Sequence, residues 1–386
     1  MGSLDFASHS QEQRLPAPHA ASSGAFVSGS VCLACARRCD LLRREAFCGA
    51  YGLDAEPRRV TNHLYGQVVH AAVDAIEKKP VYHYRPGTRV LTLGTLGCTL
   101  RCKGCLNHHW AWVRPDVQAI REQTMVKTPE AVVERAIAEG CEGLAWSFNE
   151  AAVWLPFVQD CNALAHARGL YTVLVTNGYY PVETVRVLAQ HLDVWRVDLK
   201  DWHDAYYQSQ MGVSDGATVA RAATLAAAEA GCHVELVSLL MPGRHEAWEA
   251  IAPLATWVRD ALGPQTPWHL LKFHPQHLMR HVPSFDDTVA SILAMQAMAL
   301  GLAHVYVGGD AFDQAKAIDT PSHAVARGPL RHYDWHGPQG EFLRISVERD
   351  TGRMAFVGDE SLLEAVLAAC DAQGLPLRMG ESAPCG

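Results

Sequence analysis

Apolar and polar positions fall into two regimes along this chain. Between about Thr88 and Gly309, apolar runs of strand length end in small or polar residues, and a stretch with helical spacing follows each one. Val90–Leu96, Gly143–Trp146, Tyr171–Val175, Val194–Leu199, Val234–Leu240, His269–Phe273 and His304–Val307 read as strands. Among the intervening helices, Pro129–Glu139 has Thr128 as cap and Pro129 in its first turn; Ala217–Ala230 and Trp248–Leu262 carry the same period. Strands alternating with helices at these lengths predict a parallel sheet with right-handed crossovers, open or closed into a barrel. Residues that handle a ligand then belong at the C-terminal ends of the strands.

Outside that rhythm the pattern changes. Residues 1–30 are rich in Ser, Ala, Gly and Pro without a period and read as a flexible tail. Residues 31–87 form a cysteine-rich segment, 88–310 the strand–helix body, and 311–386 a linker with a small α+β appendage. In that appendage "FLRISVERDTGRMAFVG" reads as a hairpin turning at Asp350-Thr351-Gly352, and "DESLLEAVLAACDAQG" reads as a helix. A structural cap is its plainest role; recruiting a partner is the alternative.

Composition narrows the function class. A chain of 386 residues, 49% hydrophobic and 19% charged, is long enough to bury about 75% of its unfolded surface. The net charge of −8 provides no global basic field, so nucleic acid is not an expected partner. Arg37-Arg38 and Arg43-Arg44 read as solvated surface. No run of about 18 apolar residues and no charged-then-apolar leader occurs, which predicts no membrane association and a cytoplasmic location. Twelve cysteines in a reducing compartment point to metal before disulfide.

Seven of them stand in two groups. Cys98, Cys102 and Cys105, in "GCTLRCKGC", follow the first strand of the rhythm directly. Three thiols cannot pair off: with His108 or His109 as a fourth ligand they suit zinc, and alone they suit a [4Fe–4S] cluster with one iron left open. Cys32, Cys35, Cys39 and Cys48 lie within 17 residues and are enough to enclose one centre, a structural zinc or an auxiliary iron–sulfur cluster. Cys141, Cys161 and Cys232 read as small buried hydrophobes; Cys370 and Cys385 are scattered.

The first group, taken with "CLACARRC", "EKKPVYHYRPGTRVLTLGTLGC", "SFNE", "VTNG", "DLK", "MPG", "FHP" and "HVYVGG" in this order over residues 32 to 310, resembles the radical S-adenosylmethionine (SAM) enzymes. Within them the likeness is to the pyruvate formate-lyase activating enzyme-like branch, in particular the radical SAM proteins of the AmmeMemoRadiSam system. The resemblance implies a partial (β/α)6 barrel with a cysteine-rich N-terminal segment. It implies a [4Fe–4S] cluster on Cys98, Cys102 and Cys105 whose open iron chelates SAM, fed by a flavodoxin- or ferredoxin-type electron donor. The resulting 5′-deoxyadenosyl radical takes hydrogen from a peptide, protein or small-molecule substrate. It further implies that Ser147, Phe148, Asn149 and Glu150 meet the SAM amino group and that Asp198 and Lys200 hold its methionine or ribose part. Asn177 and Gly178 end the third strand, where glycine allows a close backbone approach to a ligand. His274 is placed to touch SAM or substrate.

Departures from the pattern matter as well. Gly104 stands where relatives place an aromatic residue near the adenine, Ala151 replaces the proline of "NEP", and Val175 replaces an aspartate linked to a monovalent cation. His108, His109, Trp110 and Trp112 follow the cluster loop where relatives differ, and are expected to meet substrate; core packing of the tryptophans is the alternative. Modification of a peptide or small molecule is therefore favoured over activation of a glycyl-radical partner protein. Aminocarboxypropyl transfer is a further variant. A non-catalytic iron–sulfur or zinc sensor is the reading from another class, and it would not need Glu150 or the Asp198/Lys200 pair.

Overall fold

The computed structural model describes residues 23–53, 59–308, 330–336, 342–348 and 354–358. Its body is one eight-stranded sheet in which every strand lies beside its sequence neighbour. β1 (His70–Ala75) pairs antiparallel with β2 (Arg89–Gly94). Parallel neighbours follow: β3 (Gly143–Trp146), β4 (Tyr171–Thr176), β5 (Val194–Asp198), β6 (His233–Leu240), β7 (Trp268–Lys272) and β8 (Val305–Gly308). The crossovers carry α1 (Pro129–Ala138), α2 (Leu155–Ala167), α3 (Val182–Leu188), α4 (Asp204–Met211), α5 (Gly216–Glu229), α6 (Trp248–Trp257) and α7 (Asp287–Ala299). The described residues thus hold six strand-and-helix units, β2 to β7, and a closing strand β8. The Thr128 side chain accepts from Ala131 N at 3.2 Å, which caps α1 as its sequence predicts.

Strand alternation sorts the side chains into two cores. Leu91, Leu93, Leu144, Trp146, Leu174, Trp195, Leu236 and Trp268 face the helices. Val90, Ala145, Tyr171, Val173 and Val194 face inward and pack on Ile76 and Val81. Val81 belongs to the "EKKPVYHYRPG" segment, and Ile76 immediately precedes it; the segment crosses the lower end of the strands as a floor. It is fixed there by Glu235 on β6, whose fully buried carboxylate accepts from Tyr82 N (2.9 Å), His83 N (2.7 Å), His233 Nε2 (3.0 Å) and His269 Nε2 (2.8 Å). Burial alone would raise this carboxyl, but the two histidines and the amides hold it well below the usual carboxylate range.

The C-terminal hairpin forms: β10 (Phe342–Glu348) pairs with β11 (Met354–Gly358), and β9 (Leu330–His336), which the sequence pattern did not announce, adds a third antiparallel strand. The expected turn and the helix after it lie outside the described residues, as do Cys370 and Cys385. Cys141, Cys161 and Cys232 are buried as expected.

Candidate functional site

The loop after β2 carries Cys98, Cys102 and Cys105 and is held from four sides. Thr95 Oγ1 donates to Gln67 O at 2.6 Å, and Asn149 brackets the loop's start, accepting from Thr95 N at 3.1 Å and donating to Gly97 O at 2.8 Å. Arg101 N and Lys103 N donate to Met211 O and Gln210 O at the end of α4. Leu278 N and Gln276 Nε2 reach Lys103 O and Gly104 O from the segment after β7. Gly97 has a φ of +83°, a conformation that suits glycine. At Gly104 a Cβ would come within 3.0 Å of the Phe273 ring and 3.2 Å of Met279 Sδ. Phe273 of "FHP" thus packs directly against Gly104, which leaves no room there for a larger side chain unless the ring moves.

The neighbouring strand ends converge on this loop. Asn177, after β4, directs its Nδ2 to Cys98 Sγ at 3.9 Å and to Thr99 Oγ1 at 3.2 Å. Lys200, after β5, donates to Asp198 at 3.1 Å, and its charge lowers the Cys102 and Cys105 thiols. Burial outweighs it, pushing both to about 11, while burial and the Glu150 carboxylate push Cys98 up to about 12. Three thiols on one short loop are the donor set of a metal centre. Arg196, which the sequence reading did not single out, also pairs with Asp198. Burial pushes the Asp198 carboxyl up, and Arg196 with Lys200 more than offsets it, so Asp198 stays ionised.

Other predicted residues take different positions. Glu150 is 1% exposed and accepts from Thr176 Oγ1 (3.0 Å), Asn177 N (2.8 Å) and Tyr180 OH (2.5 Å). Burial holds its carboxyl above the usual range despite those donors. It ties the end of β4 to the site from beneath. Gly178 has a φ of +74°, and a Cβ there would meet Ala220 Cβ at 2.9 Å and Val197 Cγ2 at 3.0 Å. A close approach that demands glycine is thus made here to α5 and β5. Ser147 is half-buried, with its amide on Leu93 O. His274 bonds Ser284 Oγ at 3.3 Å.

Beyond Cys105, His108 holds Nδ1 3.1 Å from Cys105 O and stacks on His277 with ring centroids 4.2 Å apart. Trp112 meets His277 edge-on at 4.5 Å, and Trp112 Nε1 and His277 Nε2 are both buried without a hydrogen-bond partner. His277 was missed because a histidine in a loop carries no periodic signal. His109 is exposed beside Trp110, and Trp110 stacks on His70 at 5.4 Å. Neither Trp110 nor Trp112 is fully buried.

Cys32, Cys35, Cys39 and Cys48 line one small cavity of about 10 Å³. Cys32 N donates to Cys39 O at 2.9 Å, folding the segment back on itself. Burial raises Cys32 to about 12 and lifts Cys35 and Cys48 as well. This group lies against the first: Arg37 Nε donates to Thr99 O at 2.7 Å, Ala36 N donates to Tyr179 O at 3.1 Å, and a Cβ on Gly97 would stand 3.3 Å from Cys48 O. Among the described residues, no three Cys, His, Asp or Glu side chains are already closed to the spacing at which one ion is held in common. No helix among them is long and apolar enough to cross a membrane.

Residues 92–258 match the Radical SAM superfamily. An uncharacterised protein of Methanocaldococcus jannaschii is 32% identical over 244 residues, covering 63% of this chain and 71% of that protein. The pyruvate formate-lyase 1-activating enzyme of Escherichia coli K12 is 28% identical over 194 residues, 49% of this chain and 75% of the enzyme. Streptococcus suis SuiB, solved bound to the precursor peptide SuiA, superposes with a TM-score of 0.44 at 12% identity over 58% of this chain; the present chain spans about half of SuiB's length, 49%. With the superfamily match running from β2 through the cysteine loop to the helix after β6, the chain belongs to the Radical SAM superfamily and is a radical SAM enzyme.

Proposed function

We propose that Cys98, Cys102 and Cys105 hold a [4Fe–4S] cluster and that the protein uses it to cleave SAM and to abstract hydrogen from a peptide, protein or small-molecule substrate. The observation that carries this reading is the convergence of three strand ends. Three thiols from the first loop meet Asn177 from the β4 end and Lys200 with Asp198 from the β5 end. Three thiolates on one loop fit a cubane with one iron left for a ligand. With cluster and SAM bound, the pair supplies a one-electron cleavage of the sulfonium, giving a 5′-deoxyadenosyl radical.

The chain's own residues supply placement. Asp198, kept ionised by Arg196 and Lys200, offers an anionic acceptor to the cationic or hydroxylated parts of SAM, and Lys200 offers a cation to its carboxylate. Asn177 sets the distance between the β4 end and Cys98. Glu150, whose oxygens are taken up by internal donors, acts as a positioning residue for Asn177. His108, His277 and Trp112 flank the cysteine loop with stacking surface and two unpartnered donor-capable nitrogens, and we place substrate on that side. The relative that activates pyruvate formate-lyase favours a protein substrate. The four N-terminal thiols are proposed to hold a second centre, zinc or an auxiliary cluster, that folds a segment with little core of its own.

Anaerobic reconstitution followed by reduction in the presence of SAM tests this. The wild type should bind four irons at the loop and release 5′-deoxyadenosine, and C98A/C102A/C105A should release none while keeping metal on Cys32, Cys35, Cys39 and Cys48. Methylthioadenosine as the sole product would point to aminocarboxypropyl transfer, and 5′-deoxyadenosine from the triple variant would end the assignment.

A further inference from the structure

Alternation along β5 decides which of its side chains turn inward. Trp195 and Val197 pack on the helix side and Val194 belongs to the inward core, so Arg196 and Asp198 share the inward face. Arg196 is 5% exposed. Its Nη1 donates to Asp198, but its Nε is buried without a hydrogen-bond partner among the described residues. Neither neighbour in register supplies one. Val175, opposite it on β4, has no polar atom in its side chain. Glu235, opposite it on β6, gives its carboxylate to Tyr82 N, His83 N, His233 and His269. Asp198 is itself shared, because Lys200 donates to its second oxygen at 3.1 Å. A buried N–H without an acceptor is costly, and more so on an ion.

The chemistry of the group says what would fill the vacancy. A guanidinium can grip two oxygens along its Nε side as well as at its end, and a carboxylate fits that fork. In Arg196 one end nitrogen is taken by Asp198 and the Nε side is left over. Arg196, Lys200 and Asp198 together carry two positive charges to one negative, which leaves room for a second anion. We propose that Arg196 receives a carboxylate of the substrate and so selects for substrates that carry one. The inference rests on the function proposed above, because it names the chemistry of that substrate. SAM brings a carboxylate of its own, but Lys200 is assigned to it, and Arg196 lies two residues earlier on β5, about 6–7 Å further from the strand end. An acidic side chain of a protein, a chain terminus and a small acid all present the same group.

The test uses the full chain, reconstituted anaerobically and left unreduced so that nothing turns over, with propionate as the carboxylate probe and propionamide as its uncharged match. Equilibrium dialysis of each labelled probe is run with and without SAM. Wild type should bind propionate about tenfold more tightly than propionamide, and should do so with SAM present. R196Q should lose that preference, and R196K, which keeps the charge without the fork, should fall between the two. Equal binding of both probes by wild type overturns the proposal, whether or not R196Q folds. A preference that R196Q or R196K keeps in full overturns it as well. Propionate and SAM excluding each other would give the fork to the carboxylate of SAM, and overturns it too. If reduced wild type forms no 5′-deoxyadenosine from SAM, the function proposed above fails, and the dialysis still decides whether Arg196 holds a carboxylate.

Discussion

Glu150→Ala separates a carboxylate that braces the site from one that meets a ligand. In the native protein this side chain is buried and takes hydrogen bonds from Thr176, Asn177 and Tyr180. Truncation leaves those three donors facing a void, and a buried unsatisfied donor costs about 1–3 kcal/mol. Thr176 and Tyr180 hydroxyls can rotate toward an entering water, whereas the Asn177 amide cannot move, so values near the lower end of the range apply. Relief from burying a charge offsets about 1 kcal/mol of the sum. The net expectation is about 3 kcal/mol of lost stability and a melting temperature lower by about 5 °C. Thermal and urea unfolding of the anaerobic protein, with and without Tyr180→Phe, measures it. The double variant should show a coupling of about 1.5 kcal/mol, because Tyr180 has lost its acceptor already in Glu150→Ala. A Glu150→Ala protein of native stability that no longer binds SAM would refute the reasoning, since the carboxylate would then be reserved for ligand.

Lys200→Ala and Asp198→Asn should each weaken SAM binding by about 1.5–3 kcal/mol, roughly tenfold to more than a hundredfold, as measured by equilibrium dialysis; unchanged affinity in both would remove the β5 end from the SAM site. His108→Ala or His109→Ala should leave uncoupled SAM cleavage nearly intact while product formation falls about tenfold, and equal losses in both would place these residues in the SAM pocket or the fold. Glu235 has its carboxyl held low in the folded state, so the unfolded chain binds the extra proton on acidification. Its contribution is present above the usual carboxylate pKa and is lost as pH falls toward the depressed value. Urea midpoints should therefore drop as pH falls below the usual carboxylate range, and Glu235→Gln should flatten that dependence.

The parallel body was legible because its strands are buried on both faces and announce themselves as apolar runs, and the cysteine loop because thiols at fixed spacing after a strand have few other uses. Edge strand β1 was not: His70–Ala75 is half-buried throughout and half alanine, without alternation or β-branched density. Arg196 was missed for a different reason. An arginine two positions before Asp198 looks like ordinary polar punctuation until the pleat turns both inward. Gly178 was recognised as special, but the helix packed behind it was not, because contact between distant segments leaves no local trace. The same holds for the two cysteine groups, whose adjacency through Arg37 and Thr99 spans 62 positions of chain.

The floor made by "EKKPVYHYRPG" has a kinetic consequence. Because Ile76 and Val81 are sealed among the inward valines and Glu235 pins the backbone of Tyr82 and His83, the lower end offers no passage. For the function proposed above, SAM and substrate would then reach the site from the strand ends and not through this floor. A bulky substrate seated there would cover what lies beneath it, and SAM would have to bind before it: substrate added ahead of SAM should slow turnover.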